Sequence, residues 1–181
     1  MVRLVQRRLA IWEGVDAWRA ELAHVDLCES GLRATGTQLG VDPEPYRLDY
    51  RLDAADGFRT GRLEVEVKLA QEERRLVLVR DGERWIEGAQ DCDLGFSPLT
   101  NAMPVHRTGL LHRPGAEDFL MAWVSVPDLG VHASAQRYEH VRPGVVRYVD
   151  RGRFDGFTAE LAFDADGLVL DYPGLARRVR P

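Results

Sequence analysis

The chain has 181 residues, of which 45% are hydrophobic and 29% charged, and a formal net charge of -5. That length suits one domain over residues 1–181, with a core able to stand without disulfide or metal staples. The negative balance argues against a general nucleic-acid binder, whose affinity would rest on phosphate neutralisation.

Lys68 is the single lysine, so the positive charge is nearly all arginine. The arginines are spread along the chain, which fits codon bias better than a cluster built for phosphate. Cys28 and Cys92 lie far apart without CxxC spacing, against a disulfide framework or a structural zinc.

In chain order, Arg3, Arg7 and Arg8 precede an apolar run at residues 9–12 that stops at Glu13. It is too short for a signal peptide, and no run is long enough to span a bilayer. A cytoplasmic protein without integral membrane insertion is expected. Residues 16–25 set Trp18, Leu22 and Val25 at helical spacing, yet they also fit a strand. Residues 46–52 alternate, with Tyr46, Leu48, Tyr50 and Leu52 on one face. Asp56-Gly57 supplies a turn, and Leu63, Val65, Val67 and Leu69 line a face of the next strand. A third strand over 75–80 ends at Asp81-Gly82, and Trp85-Ile86 begins a short return.

Residues 91–107, DCDLGFSPLTNAMPVHR, combine two acids, two prolines, a Thr-Asn pair and a basic end. Apart from a short helix capped by Ser97 with Pro98 at its first position, they read as neither helix nor strand. Side chains must then replace the missing backbone ladder bonds. Strands follow over 119–126, 131–141 and 145–149, the last two around Pro143-Gly144. Residues 157–163 alternate again, 168–172 close the series and 174–179 form a last turn. Short strands with Gly-bearing turns predict a mainly β, single-domain antiparallel sheet, curled into a roll or half-open barrel with few short helices.

Chemistry is less legible. His24, His106, His112, His132 and His140 lack ligand spacing, so no metal site is assigned, and no cofactor is implied. His132 and His140 could share a strand face. Asp164-x-Asp166-Gly167 begins like a calcium loop but lacks the later ligands, which favours a hairpin turn. Cys92 sits between Asp91 and Asp93, whose charge raises a thiol pKa and disfavours a nucleophile. Asp91 and Asp93 themselves have two readings. They form an acid–base couple with split pKa values, or they tie down the segment by accepting from Thr100, Asn101 and Arg107. No residue is assigned a catalytic role.

Several pieces together carry a resemblance: Tyr46 to Tyr50 with Arg59; Asp81-Gly82 with Trp85; Asp91-x-Asp93; Ser97-Pro98-x-Thr100-Asn101-x-x-Pro104-x-x-Arg107; Gln136-Arg137-Tyr138; and Phe157 with Asp164-x-Asp166-Gly167-Leu168-Val169 and Tyr172-Pro173. In this order they resemble the bacterial family labelled putative glycolipid-binding proteins, formerly a domain of unknown function. The resemblance implies a spiral β-roll around a central cavity, similar to the lipoprotein localisation factors. It further implies a carrier or sensor for an amphipathic small molecule such as a lipid or glycolipid. Leu48, Tyr50, Leu63, Val65 and Trp123 would then face acyl carbons, and Asp93, Asn101, Arg107 and Arg137 would hold the head group. Two other readings stay open: a protein-interaction module without a ligand, and a hydrolase using Asp91 or Asp93.

Overall fold

The computed structural model describes residues 5–154 and 156–179; Arg3 of the basic N-terminus lies outside them. Period-two alternation governs most of the chain and gives thirteen strands among the described residues: β1 (Gln6–Gly14), β2 (Arg19–Cys28), β3 (Gly31–Gly40), β4 (Tyr46–Ala54), β5 (Arg62–Lys68), β6 (Glu73–Val79), β7 (Asp91–Leu94), β8 (Ala116–Val124), β9 (Val131–Arg142), β10 (Val145–Asp150), β11 (Thr158–Phe163), β12 (Val169–Tyr172) and β13 (Ala176–Arg178). A 3-10 turn (Pro98–Asn101) runs into helix α1 (Ala102–Thr108). The strands make one sheet in the order β6-β5-β4-β3-β2-β1-β13-β12-β11-β10-β9-β8-β7. Every pair is antiparallel except β7 with β8. The sheet is curled but not closed, since β6 and β7 remain its two edges.

One open alternative is decided and three sequence expectations change. Residues 16–25 resolve as strand from Arg19 onward, because Glu21, Ala23, Val25 and Leu27 all point inward while Leu22 is exposed. That is period two, and the helical spacing of Trp18, Leu22 and Val25 is incidental. Trp85-Ile86 starts no strand; Trp85 is buried in a turn, lies 5.3 Å from the Arg80 guanidinium and donates Nε1–H to Ala89 O. The expected last turn over 174–179 contains β13, which pairs with both β1 and β12. Residues 91–107 are almost wholly regular, as β7, the 3-10 turn and α1. Both prolines are tolerated because each falls in the first turn of its helix, where the backbone N–H has no intrahelical acceptor. Ser97 precedes the 3-10 turn but makes no capping bond. Gly109, at φ 70°, ends α1 in the left-handed conformation and donates to Val105 O and His106 O.

The interior is filled. Leu48, Leu63 and Val65 pack in one buried cluster with Leu99, Ala102 and Met103 from the inserted segment. The expected acyl-facing wall of Leu48, Leu63 and Val65 is therefore core. Helix α1 plugs one end of the roll: the His106 ring stacks on Phe58 at 4.4 Å, His106 Nε2 lies 3.0 Å from Asp166 O, and Arg107 Nη1 donates to Phe58 O at 3.0 Å.

Candidate ligand cavity

Strand direction decides where loops meet. With antiparallel neighbours, the β1–β2, β3–β4, β8–β9, β10–β11 and β12–β13 turns emerge at one end of the roll, beside the C-terminal end of β7. This is the end opposite α1. Here a cavity of about 330 Å³ opens, lined by Asp16 and Arg19, Asp42 and Tyr46, residues 93–97, Asn101, Trp123 and Val126, Ser134, Tyr148, Phe154 and Phe157, and Tyr172, Gly174 and Leu175. Residues more than a hundred positions apart converge because the sheet curls.

Asp93 stands at the centre of the polar wall. Its Oδ1 accepts from Thr100 Oγ1 at 2.9 Å and its Oδ2 from Gln136 Nε2 at 2.7 Å. Asn101 Nδ2 donates to Tyr138 OH at 2.8 Å, and Tyr138 OH donates on to Gln136 Oε1 at 3.3 Å. Burial raises the Asp93 pKa and the charge of Asp150 adds to it, outweighing the bonds from Gln136 and Thr100.

Behind Ser97 lies another carboxylate, this one fully buried. Glu21 is 1% exposed, and its Oε1 accepts from Tyr50 OH at 2.6 Å and from Ser97 Oγ at 2.7 Å. Burial pushes it up to about 7 despite those bonds. Two glycines make room for the tyrosines of this corner. Gly36 and Gly40 face inward on β3 opposite Tyr50 and Tyr46, and a Cβ on either would stand 2.4 Å from the tyrosine ring. Arg19 closes the corner: its Nη2 lies 2.6 Å from both oxygens of Asp16, its guanidinium sits 4.8 Å over Phe96, and its buried Nε has no hydrogen-bond partner among the described residues.

Of the six residues expected to hold a ligand, Asp93, Asn101 and Trp123 line this cavity together. Tyr50 lies one layer behind it, bonded to Glu21. Arg107 is at the plugged end, where Nη2 meets Asp91 Oδ2 at 2.6 Å. Arg137 is engaged by Asp118 at 2.6 Å and Glu139 at 2.8 Å, pointing away from its buried neighbours Gln136 and Tyr138. Asp91 does not share a cavity with Asp93: it is fully buried and also accepts the Thr60 N–H at 3.0 Å. The two carboxylates thus have separate partners. Burial pushes the Cys92 thiol between them up to about 12, well short of a thiolate at neutral pH. His140 Nδ1 lies 2.6 Å from Leu110 O, while the His132 ring sits beside Trp123.

Sequence reasoning missed Arg19, Tyr46, Phe96, Ser134, Tyr148 and Tyr172. Their only signal is position: each stands near the end of a strand that opens toward the cavity.

Residues 9–178 match the family described as Putative glycolipid-binding. No curated protein matches the chain. A crystal structure of a DUF1089 family protein from Pseudomonas aeruginosa is similar over 88% of this chain and 92% of that one, with 26% identity and a TM-score of 0.76. The shared curled sheet and the match across nearly the whole chain lead to one conclusion: this protein belongs to the Putative glycolipid-binding family.

Proposed function

We propose that the chain is a carrier or sensor that binds an amphipathic lipid or glycolipid by its head group, in the cavity at the open end of the roll. The observation that carries this reading is the cavity wall, in which aromatic side chains (Tyr46, Phe96, Trp123, Tyr148) stand with Asp93, Asn101 and Ser97. Sugar rings offer C–H faces that pack on aromatic planes and hydroxyls that donate to carboxylates and amides. Ligand sites generally combine such apolar walls with a few convergent polar groups. The lining holds three carboxylates, Asp16, Asp42 and Asp93, against one guanidinium, Arg19. That balance favours a neutral, hydroxyl-rich head over a bare phosphate. Arg107 and Arg137 are committed to other partners, so Arg19 is the cation in the lining, with the Arg153 guanidinium 4.3 Å over the Trp123 ring beside it.

The volume supports a head-group site in particular. At about 330 Å³ the cavity is at the small end for ligand pockets, and the roll behind it is packed with side chains. An interaction module is the alternative, supported by Leu9, Ile11 and Leu22, exposed on the outer face of adjoining strands.

Native mass spectrometry of freshly purified protein, with organic extraction of anything bound, tests the reading. A stoichiometric amphiphile is expected. In titrations followed by tryptophan fluorescence, monomeric octyl glucoside should bind, and Trp123→Ala should weaken it about tenfold, as losing a packed aromatic anchor does. A clean apo mass from a protein that also ignores alkyl glycosides would sink the proposal.

A further inference from the structure

We infer that the rim of the cavity mouth is a docking surface for a lipid bilayer, onto which the protein settles with its open end facing the membrane. The inference rests on the head-group reading above. Three of the loops that ring the mouth carry large apolar side chains that stand about half exposed, although Phe154 also meets Trp123 edge-on at 5.7 Å. Val15 and Trp18 stand on the β1–β2 turn at 49% and 61% exposure, Val41 on the β3–β4 turn at 48%, and Phe154 on the β10–β11 turn at 53%. Arg19 pairs with Gly40, so Trp18 and Val41, one residue beyond each, occupy neighbouring tips. Phe154 belongs to the other lip. Residues 152–154 are held by Asp150, whose Oδ1 accepts the backbone N–H of Gly152, Arg153 and Phe154 at 3.0, 2.8 and 2.7 Å.

What covers these lips follows from the cavity they surround. It has room for a head group, and the core behind it is filled, so the tail of an amphiphile must leave through the mouth. A bilayer is the partner in which that tail and the exposed lips share one apolar medium. Tryptophan at a loop tip suits the head-group level of a membrane, where an amphipathic ring is favoured. Charge is not the driving term. Arg19 is already paired with Asp16, the Arg153 guanidinium on the opposite lip lies over Trp123, Asp42 lies beside Arg19, and the net charge of -5 opposes attraction to an anionic leaflet. The binding is therefore hydrophobic, insensitive to salt, and no stronger on anionic than on zwitterionic vesicles.

The test is flotation of the full chain with phosphatidylcholine vesicles, in low and high salt, alongside the octyl glucoside titration. Neither Trp18 nor Val41 lines the cavity. A Trp18→Ser/Val41→Ser variant should float about tenfold less while binding octyl glucoside as before. With brominated phosphatidylcholine, Trp18 fluorescence should be quenched, and that quenching should vanish in Trp18→Phe. If the native chain binds octyl glucoside but does not float with vesicles, the docking inference fails and the head-group reading stands. If it floats and loses flotation in the double variant, yet binds no amphiphile, docking stands and the head-group reading fails. If the double variant instead turns a dimer into a monomer on ultracentrifugation without changing flotation, the rim is a contact between copies, and the inference is overturned.

Discussion

Glu21 occupies an inward position of β2 that alternation would give to an apolar residue, with Ala23 and Val25 as its neighbours on the same face. Removing its charge from water makes the neutral acid the favoured form, and its pKa rises from the ordinary 4.5 to about 7. Between those two values the unfolded chain releases a proton that the folded chain keeps. Stability is therefore greatest below about 4.5 on account of this group, and falls as pH rises toward 7, by about 3 kcal/mol across the window. Glu21→Gln keeps an acceptor for Tyr50 and Ser97 and removes the titration. Measured by urea unfolding at several pH values, the stability difference between variant and native chain should move in the variant's favour from pH 5 to pH 8. A difference that stays constant would mean that Glu21 is ionised throughout. The residue was legible only as an oddity of pattern: alternation told where it points, while its partners Tyr50 and Ser97 lie 29 and 76 positions away.

At the level of elements, the strands with two paired neighbours and clean alternation, such as β4 and β5, could be read from sequence because their pattern is local. Strand β7 could not. It is four residues long, and it is a strand only because β8 lies beside it in parallel. The inserted segment also became regular through tertiary contacts, Asp91 being the main one. Asp91 is fully buried and faces Arg107 at 2.6 Å, with Arg80 at 3.9 Å, so the plug α1 is anchored to β7 by a charge pair. This is the tying role that sequence suggested for the aspartates: Arg107 meets Asp91 and Thr100 meets Asp93, whereas Asn101 turns to Tyr138. Arg107→Ala leaves Asp91 buried without its closest counter-charge, which should cost about 3 kcal/mol in urea unfolding. Adding Asp91→Asn should restore part of that loss, since Asn can still accept the Thr60 N–H. If the double variant is less stable than Arg107→Ala by the full cost of a second independent mutation, the two residues do not act as a pair.

For the whole molecule, a roll was legible from the succession of strands and turns, but the chain's route around it was not. The sheet runs from β6 outward through β1, returns through β13, and ends at β7, so the chain passes directly from one edge strand to the other. Arginines are among the side chains that bridge those edges, alongside Thr60, whose Oγ1 accepts the Cys92 N–H at 3.0 Å. Arg80, just beyond β6, donates Nε–H to Thr60 O at 2.8 Å and Nη2–H to Gln90 O at 2.6 Å, next to β7, with Trp85 stacked against it. Arg74 reaches Pro127 O at 3.4 Å farther along. A closed barrel would join these edges by ladder bonds; here guanidinium groups replace part of that ladder, and the opening of the roll depends on them. Arg80→Ala should lower stability by about 2 kcal/mol, the scale of lost bonds to a charged donor. Its more telling effect is spatial. In native-state hydrogen exchange, the amides of β6 and β7 should lose protection first, while β2, β3 and β4, paired on both sides, should hold theirs up to global unfolding. Uniform loss across all strands would mean that the seam never opens alone and that the curled sheet unfolds as one unit.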